Sequence, residues 1–267
     1  MHPLVNIAVS AARKAGNFIA RYADRIEDLR ISTKSRNDFV SEVDRRAEAL
    51  IVDTIRRAYP QHAILAEESG AQQGDDDSVR WIVDPLDGTT NFLHRIPHFA
   101  VSIGVEVRGR LEHGVIYAPP TQDLYIASHG SGAQLNSRRI RVSGRLDTDS
   151  ALIGTGIPTR ADALEAYVPM LGRVAEDTAG IRRAGAASLD LAYVAAGRLD
   201  GFWELGLKPW DIAAGLVLVQ EAGGLLSGVC ADDSDDDLLA HGNVVAATPR
   251  LHPWLLERLR RAAPKPA

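Results

Sequence analysis

The sequence predicts an α/β fold, and three observations carry that expectation. Two amphipathic helical patterns open the chain. A run of period-two segments, punctuated by glycine and proline, fills its middle. Strand and helix patterns then alternate through the second half.

From Leu4 the apolar positions Leu4, Ile7, Ala8, Ala11, Ala15, Phe18, Ile19 and Tyr22 recur at helical spacing, which predicts an amphipathic packing helix. Residues 30–41 are polar and read as a loop carrying Lys34 and Asp38. A second helix places Val43, Ala47, Leu50, Ile51, Ile55 and Ala58 on one face, and Pro60 closes it. Asp44 lies in its first turn, where the helix dipole alone accounts for a carboxylate. His62 to Ala66 reads as a strand that delivers Glu67 and Glu68, a pair that a solvated turn would also explain. The acidic run Asp75–Asp77 reads as a surface loop.

From Phe99 to Arg141 the pattern is that of an antiparallel sheet. Val101, Ile103, Val105 and Val107 alternate, Gly109 marks a turn, and the runs 115–117, 124–127 and 140–142 follow. Gly130-Ser131-Gly132 is half of a dinucleotide fingerprint, but no helical pattern follows it and that reading is rejected. Beyond it, 152–154 predicts a strand, 161–177 a helix, 188–197 a helix, 200–205 a strand bearing Glu204, 212–222 a helix, 244–247 a strand, and a last helix starts near Pro253. The small residues Gly185, Ala186 and Ala187 open the 188–197 helix, where free backbone N–H groups suit an anion. Asp211 precedes the 212–222 helix and reads equally as an N-cap.

Composition narrows the function classes. Hydrophobic residues make up 45% of the 267-residue chain and charged residues 24%, as in ordinary globular proteins. A net charge of −5 gives no global attraction to nucleic acid or anionic membrane. A single cysteine, Cys230, excludes an intramolecular disulfide and fits a reducing cytoplasm. Neither a signal peptide nor a membrane span is expected. One unit over 1–267 is expected, with an N-terminal α+β part to about residue 150 and a C-terminal α/β part from about 151.

Chemistry concentrates in Trp81-Ile82-Val83-Asp84-Pro85-Leu86-Asp87-Gly88-Thr89-Thr90-Asn91. An apolar strand is expected to leave its sheet at Asp84, because Pro85 removes a backbone donor. Asp84 and Asp87 then share a tight turn with Gly88. Two carboxylates this close repel unless a cation lies between them. A hard divalent ion wants such oxygens, including the Leu86 carbonyl. A capped turn is the alternative, since Asp, Gly, Thr and Asn are common turn residues.

This string, together with Trp210-Asp211-Ile212-Ala213-Ala214-Gly215, resembles the two signatures of the inositol monophosphatase family, with similar segments in the same order from about Ala11 to Ala247. The resemblance implies a layered αβαβα sandwich of the inositol monophosphatase / fructose-1,6-bisphosphatase (sugar phosphatase) type. It implies a lithium-sensitive phosphomonoesterase that hydrolyses myo-inositol 1-phosphate with two to three Mg²⁺. Glu67, Asp84 and the Leu86 carbonyl match one ion's ligands, and Asp84, Asp87 and Asp211 match another's. Thr89, oriented by Asp44, matches the pair that positions the attacking water. Gly88 and Thr89 match backbone donors to the phosphate. Gly185, Ala186, Ala187, Glu204 and Asp211 match positions facing the substrate, and Arg182 stands near the substrate or a dimer partner. Histidinol phosphate, fructose 1,6-bisphosphate and 3′-phosphoadenosine 5′-phosphate are substrates of similar proteins. Association with transcription antitermination in bacterial relatives, and a homodimer, come with the same resemblance.

Two departures stand out: Ala186 replaces the usual Ser or Thr, and the loop 231–240 is unusually acidic. The stretch Asp232–Asp237 lacks the glycine and terminal glutamate of an EF-hand and reads as a solvated loop. No Walker A loop, His-Glu-x-x-His, cysteine pair or Gly-x-Ser-x-Gly elbow occurs. Haloacid-dehalogenase-type enzymes space their two aspartates by one residue; here two residues intervene, one of them Pro85.

Overall fold

The computed structural model describes residues 2–23, 31–35, 38–158, 161–230, 233–235 and 237–262. In chain order the elements are α1 (Pro3–Ala23), β1 (Ile31–Ser35), β2 (Asp38–Ser41), α2 (Glu42–Ala58), β3 (His62–Ala66), β4 (Gly70–Gln72), β5 (Asp76–Asp87) and α3 (Thr89–Leu93). β6 (Ala100–Val107), β7 (Arg110–Ala118), β8 (Asp123–Ser128), β9 (Gly132–Leu135) and β10 (Arg138–Ile140) follow. The second half comprises β11 (Leu152–Thr155), α4 (Ala161–Ala175), β12 (Gly180–Arg182), α5 (Ala187–Ala195), β13 (Gly201–Glu204), α6 (Pro209–Glu221), β14 (Leu225–Ser227), α7 (Leu238–His241), β15 (Val244–Ala247) and α8 (His252–Ala262).

Five layers result. α1 and α2 bury Val5, Ala8, Ile19, Ile51 and Ile55 against Val83, Ile103 and Val115 on one face of an eight-stranded sheet ordered β10-β9-β8-β7-β6-β5-β3-β4. α5 and α6 lie between that sheet and a five-stranded one, ordered β12-β11-β13-β15-β14, sharing a core with Ile116 and Tyr125 on one side and Phe202 and Ala246 on the other. On the outer face of the smaller sheet, Tyr167, Met170, Leu255 and Leu259 of α4 and α8 cover Ile153, Trp203 and Val245. This is the αβαβα sandwich.

Glycines set the spacing of the central layer. Gly104 and Gly114 face each other across β6 and β7. A Cβ on either would come within 2.6 and 2.4 Å of α6 at Ala213 and Ala214. The helix therefore rests directly on the sheet, which fixes the height of its first turn and of Asp211. The largely apolar α6 and α5 fit this double burial: Ile212–Val219 of α6 and Leu189, Leu191, Ala192, Val194 and Ala195 of α5 are buried.

Several sequence expectations shift. The polar segment 31–41 forms a two-stranded ribbon of β1 and β2 where a loop was expected; the side chains of Lys34 and Asp38 lie outside the described residues. The acidic run enters β5 at Asp76, which pairs with His62. β5 does not leave the sheet at Asp84. It continues to Asp87, with Asp84 opposite Ser102 and Asp87 opposite Ala100. Three residues on β5 thus span two on β6, and the bulge absorbs Pro85, which has no N–H for a regular ladder. Short polar strands such as β4 and β9 carried no alternating apolar signal.

Candidate active site

The acids arrive on rigid supports. Asp84 and Asp87 sit at the bulged end of β5. Glu67 leaves β3, which runs parallel to β5, and its N–H donates to the Val83 carbonyl (3.1 Å). Asp44 projects from the first turn of α2, and Asp211 from the first turn of α6. The buried Glu48 carboxylate, also on α2, accepts the N–H groups of Glu68 (2.7 Å) and Ser69 (3.0 Å), and so holds the turn that presents Glu67.

Local bonds then fix the bulge. Asp84 Oδ1 accepts the Leu86 N–H at 2.9 Å, the side-chain-to-backbone closure of an Asx turn. Gly88 adopts φ 89°, closed to side chains, and opens the short helix α3. A Cβ there would stand 2.9 Å from the His98 carbonyl oxygen and 3.3 Å from the Ala186 methyl. Thr89 Oγ1 lies 2.9 Å from the Leu86 carbonyl oxygen and 3.4 Å from Asp44 Oδ2. Asn91 Nδ2 donates to the carbonyls of His98 and Ala184, both at 2.8 Å, so the motif of the first half is tied to the 184–187 turn of the second.

The charges acting most strongly on Asp84 are all negative: Glu67, Asp87, Asp211 and Asp44. Burial, at 2% exposure, and that repulsion hold its carboxyl well above the usual range. Burial and then Asp44 and Asp211 push Glu67 up to about 8. Burial followed by Asp87 raises Asp211 to about 7, and burial raises Asp87 to about 6 against the pull of its bonds to Ser188. Glu204 is raised to about 8 by burial, then by Asp211 and Asp87.

An array of converging acids fits a hard cation, because the donor set is entirely oxygen and the acids raise one another's pKa values. Among the described residues no three acid, His or Cys side chains close into a finished cage.

Site residues expected from the sequence fall into distinct classes here. Glu67, Asp84, Asp87, Asp211, Asp44 and Thr89 share one cluster, with the Leu86 carbonyl facing Thr89. The opening of α5 is not free for an anion, contrary to expectation. Asp87 Oδ2 already takes the Ser188 N–H (2.8 Å) and hydroxyl (2.5 Å), and the Ala187 amide also bonds this carboxylate. Ala186 is buried, and Gly185 turns at φ 86° beside Asn91. Arg182 is displaced from the site: it is exposed, and its guanidinium bonds the Ile181 carbonyl. Its neighbour Arg183, also exposed, has Nη1 2.8 Å from where a Gly185 Cβ would stand, and its charge acts on Glu204 and Asp190. On a strand end alternate residues face opposite ways, so a one-residue choice decided the matter. Asp211 has both expected characters: its carboxylate faces Asp87 and also accepts the Lys208 N–H at 2.7 Å, closing the helix start.

The inositol monophosphatase family model matches residues 1–263. The chain belongs to the inositol monophosphatase family. Within it, the chain is 50% identical over 261 residues to the Nus factor SuhB of Escherichia coli, covering 97% of each chain. It superposes on the extragenic suppressor protein suhB of Bartonella henselae with a TM-score of 0.94 at 43% identity, over 97% of this chain and 99% of that one. The inositol monophosphatase of Anabaena (Nostoc) gives a TM-score of 0.84 at 36% identity, over 98% and 96%. No helix among the described residues is long and apolar enough to cross a membrane.

Proposed function

We propose that this protein is a Mg²⁺-dependent phosphomonoesterase acting on a small phosphorylated polyol, with myo-inositol 1-phosphate as the substrate its family membership favours. The observation that carries the reading is the convergence of Glu67, Asp84, Asp87 and Asp211 beside the Thr89–Asp44 pair. Glu67, Asp84 and the Leu86 carbonyl would hold one ion, and Asp84, Asp87 and Asp211 a second, with room for two to three in all. Bound there, Mg²⁺ supplies positive charge for the phosphate and acidity for a water. Thr89 orients that water: with its hydroxyl hydrogen turned to Asp44, its oxygen accepts a hydrogen bond from the nucleophile, and Asp44 is positioned to take the proton through it. Gly88 and Thr89 face the phosphate with backbone N–H groups of the first turn of α3. Glu204 accepts from the hydroxyls of the leaving alcohol, and Arg183 rather than Arg182 supplies the cation beside it. Ala186 brings no hydroxyl but keeps its backbone N–H, so its effect is a shift in substrate preference rather than lost activity.

A second reading accompanies the first. The Escherichia coli relative is named a Nus factor, and identity of 50% along the chain favours an association with the transcription machinery, in the cytoplasm, by the same protein. Homodimer formation belongs with both readings. Phosphate release should be measured on myo-inositol 1-phosphate, histidinol phosphate, fructose 1,6-bisphosphate and 3′-phosphoadenosine 5′-phosphate, with Mg²⁺ and with a chelator. Mg²⁺-dependent release that is strongest on the inositol ester supports the first reading. No release from any of the four would leave the regulatory one.

A further inference from the structure

Gly156, just past the end of β11, is buried and has no left-handed backbone to explain it. Its role lies in what stands over it. A Cβ at this position would fall 1.8 Å from Glu204 Oε1, 1.9 Å from Cδ and 2.3 Å from Oε2. All three atoms of the carboxyl head thus overlap the space a Cβ would fill, so the group sits where a side chain at 156 would begin. Two residues earlier Gly154 does a related service on the same face, where a Cβ would come 3.7 Å from Asp190 Cγ and 2.8 Å from a Leu199 methyl.

The floor under Glu204 does not yield. Thr155 pairs with Trp203 in the parallel β11–β13 ladder, which sets Gly156 beside Glu204. Thr155 Oγ1 also lies 2.9 Å from the Trp203 carbonyl oxygen and 2.5 Å from the Tyr167 hydroxyl. Tyr167 in turn stacks on Trp203 with ring centroids 5.9 Å apart. Backbone and side chains therefore hold residue 156 at fixed depth. Any side chain there moves the carboxyl head, because the strand cannot recede.

We propose that Gly156 is a specificity-determining residue: it is the seat that sets how deep the Glu204 carboxylate lies, and so keeps room for a hydroxylated ring in the alcohol half of the site. This deepens the phosphatase reading and rests on it. With a methyl at 156, Glu204 swings up into the space the alcohol would occupy. Polyol esters then lose both volume and their acceptor, while an aryl phosphate, which brings no ring hydroxyls and a flat ring, loses only part of the volume.

Two measurements on Gly156→Ala test this. In steady-state kinetics with Mg²⁺, KM for myo-inositol 1-phosphate should rise about 10-fold or more, the size of losing a hydrogen bond to a charged group, with kcat and the KM for p-nitrophenyl phosphate changed far less. An equal rise in KM for both esters overturns the proposal. Thermal melting of Gly156→Ala, Glu204→Asp and the double variant gives a readout free of activity. The shorter acid clears the seat, so Gly156→Ala should lower the melting temperature by about 3 °C or more in the parent protein and leave it nearly unchanged beside Asp at 204. An equal drop in both backgrounds overturns it. If the parent protein releases phosphate from no ester, the phosphatase reading fails by itself, and the melting cycle still decides whether Gly156 seats Glu204.

Discussion

Loading the acidic cluster with Mg²⁺ at pH 7 should expel protons from it, because its carboxyls are held above their usual range. In the metal-free protein Glu67 titrates near 8 and is protonated in roughly nine molecules of ten at pH 7. Burial and the neighbouring acids hold Asp84 well above the usual carboxylate range as well. Asp211, at about 7, contributes roughly half a proton, and Asp87, at about 6, very little. A cation takes these oxygens only in their ionised form, so binding and deprotonation are one event. Titration calorimetry in buffers of different ionisation enthalpy reads the number directly. The observed enthalpy at pH 7 should vary linearly with the buffer's ionisation enthalpy, with a slope clearly different from zero. That slope should decline as pH rises, and apparent affinity should climb with pH around neutrality. Enthalpies that do not depend on the buffer at pH 7 would refute the reasoning: either the ion does not bind among these acids, or they are already ionised.

The same groups fix the sign of the pH dependence of stability. Their folded pKa values lie above the unfolded carboxylate range, so their contribution is full below about pH 4 and is lost as pH rises through about 6 to 8. Without metal, the urea midpoint should therefore fall between pH 5 and 8.5, and saturating Mg²⁺ should abolish the fall. Asp87→Asn and Asp211→Asn should each remove most phosphate release in kinetic assays while leaving the metal-free melting temperature equal or higher, because each removes a buried repelling charge. Thr89→Ala should slow turnover by roughly 10²–10⁴-fold with Mg²⁺ affinity by calorimetry little changed. Hydrolysis of a chiral phosphate ester in ¹⁸O-water should invert phosphorus; retention, or a phosphoryl group trapped on Asp84, would point to attack by the aspartate.

What was legible in the sequence followed from periodicity and from acids in unlikely company. The helical stripe of α1, the strand His62–Ala66 and the strand Val244–Ala247 emerged where expected, because each has one buried face or two and the apolar pattern says so. Asp84 and Asp87 were visible as a pair because they lie three apart in sequence, whereas Glu67, Asp211 and Asp44 joined them only through the family resemblance. What stayed hidden depends on backbone partners far along the chain. Nothing near Ser188 announces that its amide and hydroxyl belong to Asp87, 101 residues earlier. Glu48 reads as one more exposed helical acid until the turn at Glu68 folds onto it. Pro85 looked like a strand terminator, and only pairing with β6 shows the bulge that lets the strand continue.

The second signature, Trp210 to Gly215, shows how much of a motif is chemistry and how much is packing. Only Asp211 faces the acids. Ala213 and Ala214 are small because Gly104 and Gly114 bring the sheet to within touching distance of the helix backbone. Gly215 is bare because a Cβ there would stand 2.5 Å from a Leu191 methyl carbon of α5. Two side-chain-poor surfaces thus clamp α6 on both sides, so that its first turn cannot slide relative to β5 or to α5. Asp211 comes from α6, Asp87 from β5, and the groups that bond Asp87 from α5. A larger residue at 213, 214 or 215 would separate those three supports by ångströms, without touching an acid. Since ion ligands tolerate displacements of only a few tenths of an ångström, the packing residues of this motif hold the geometry of the site as firmly as its carboxylates supply the charge.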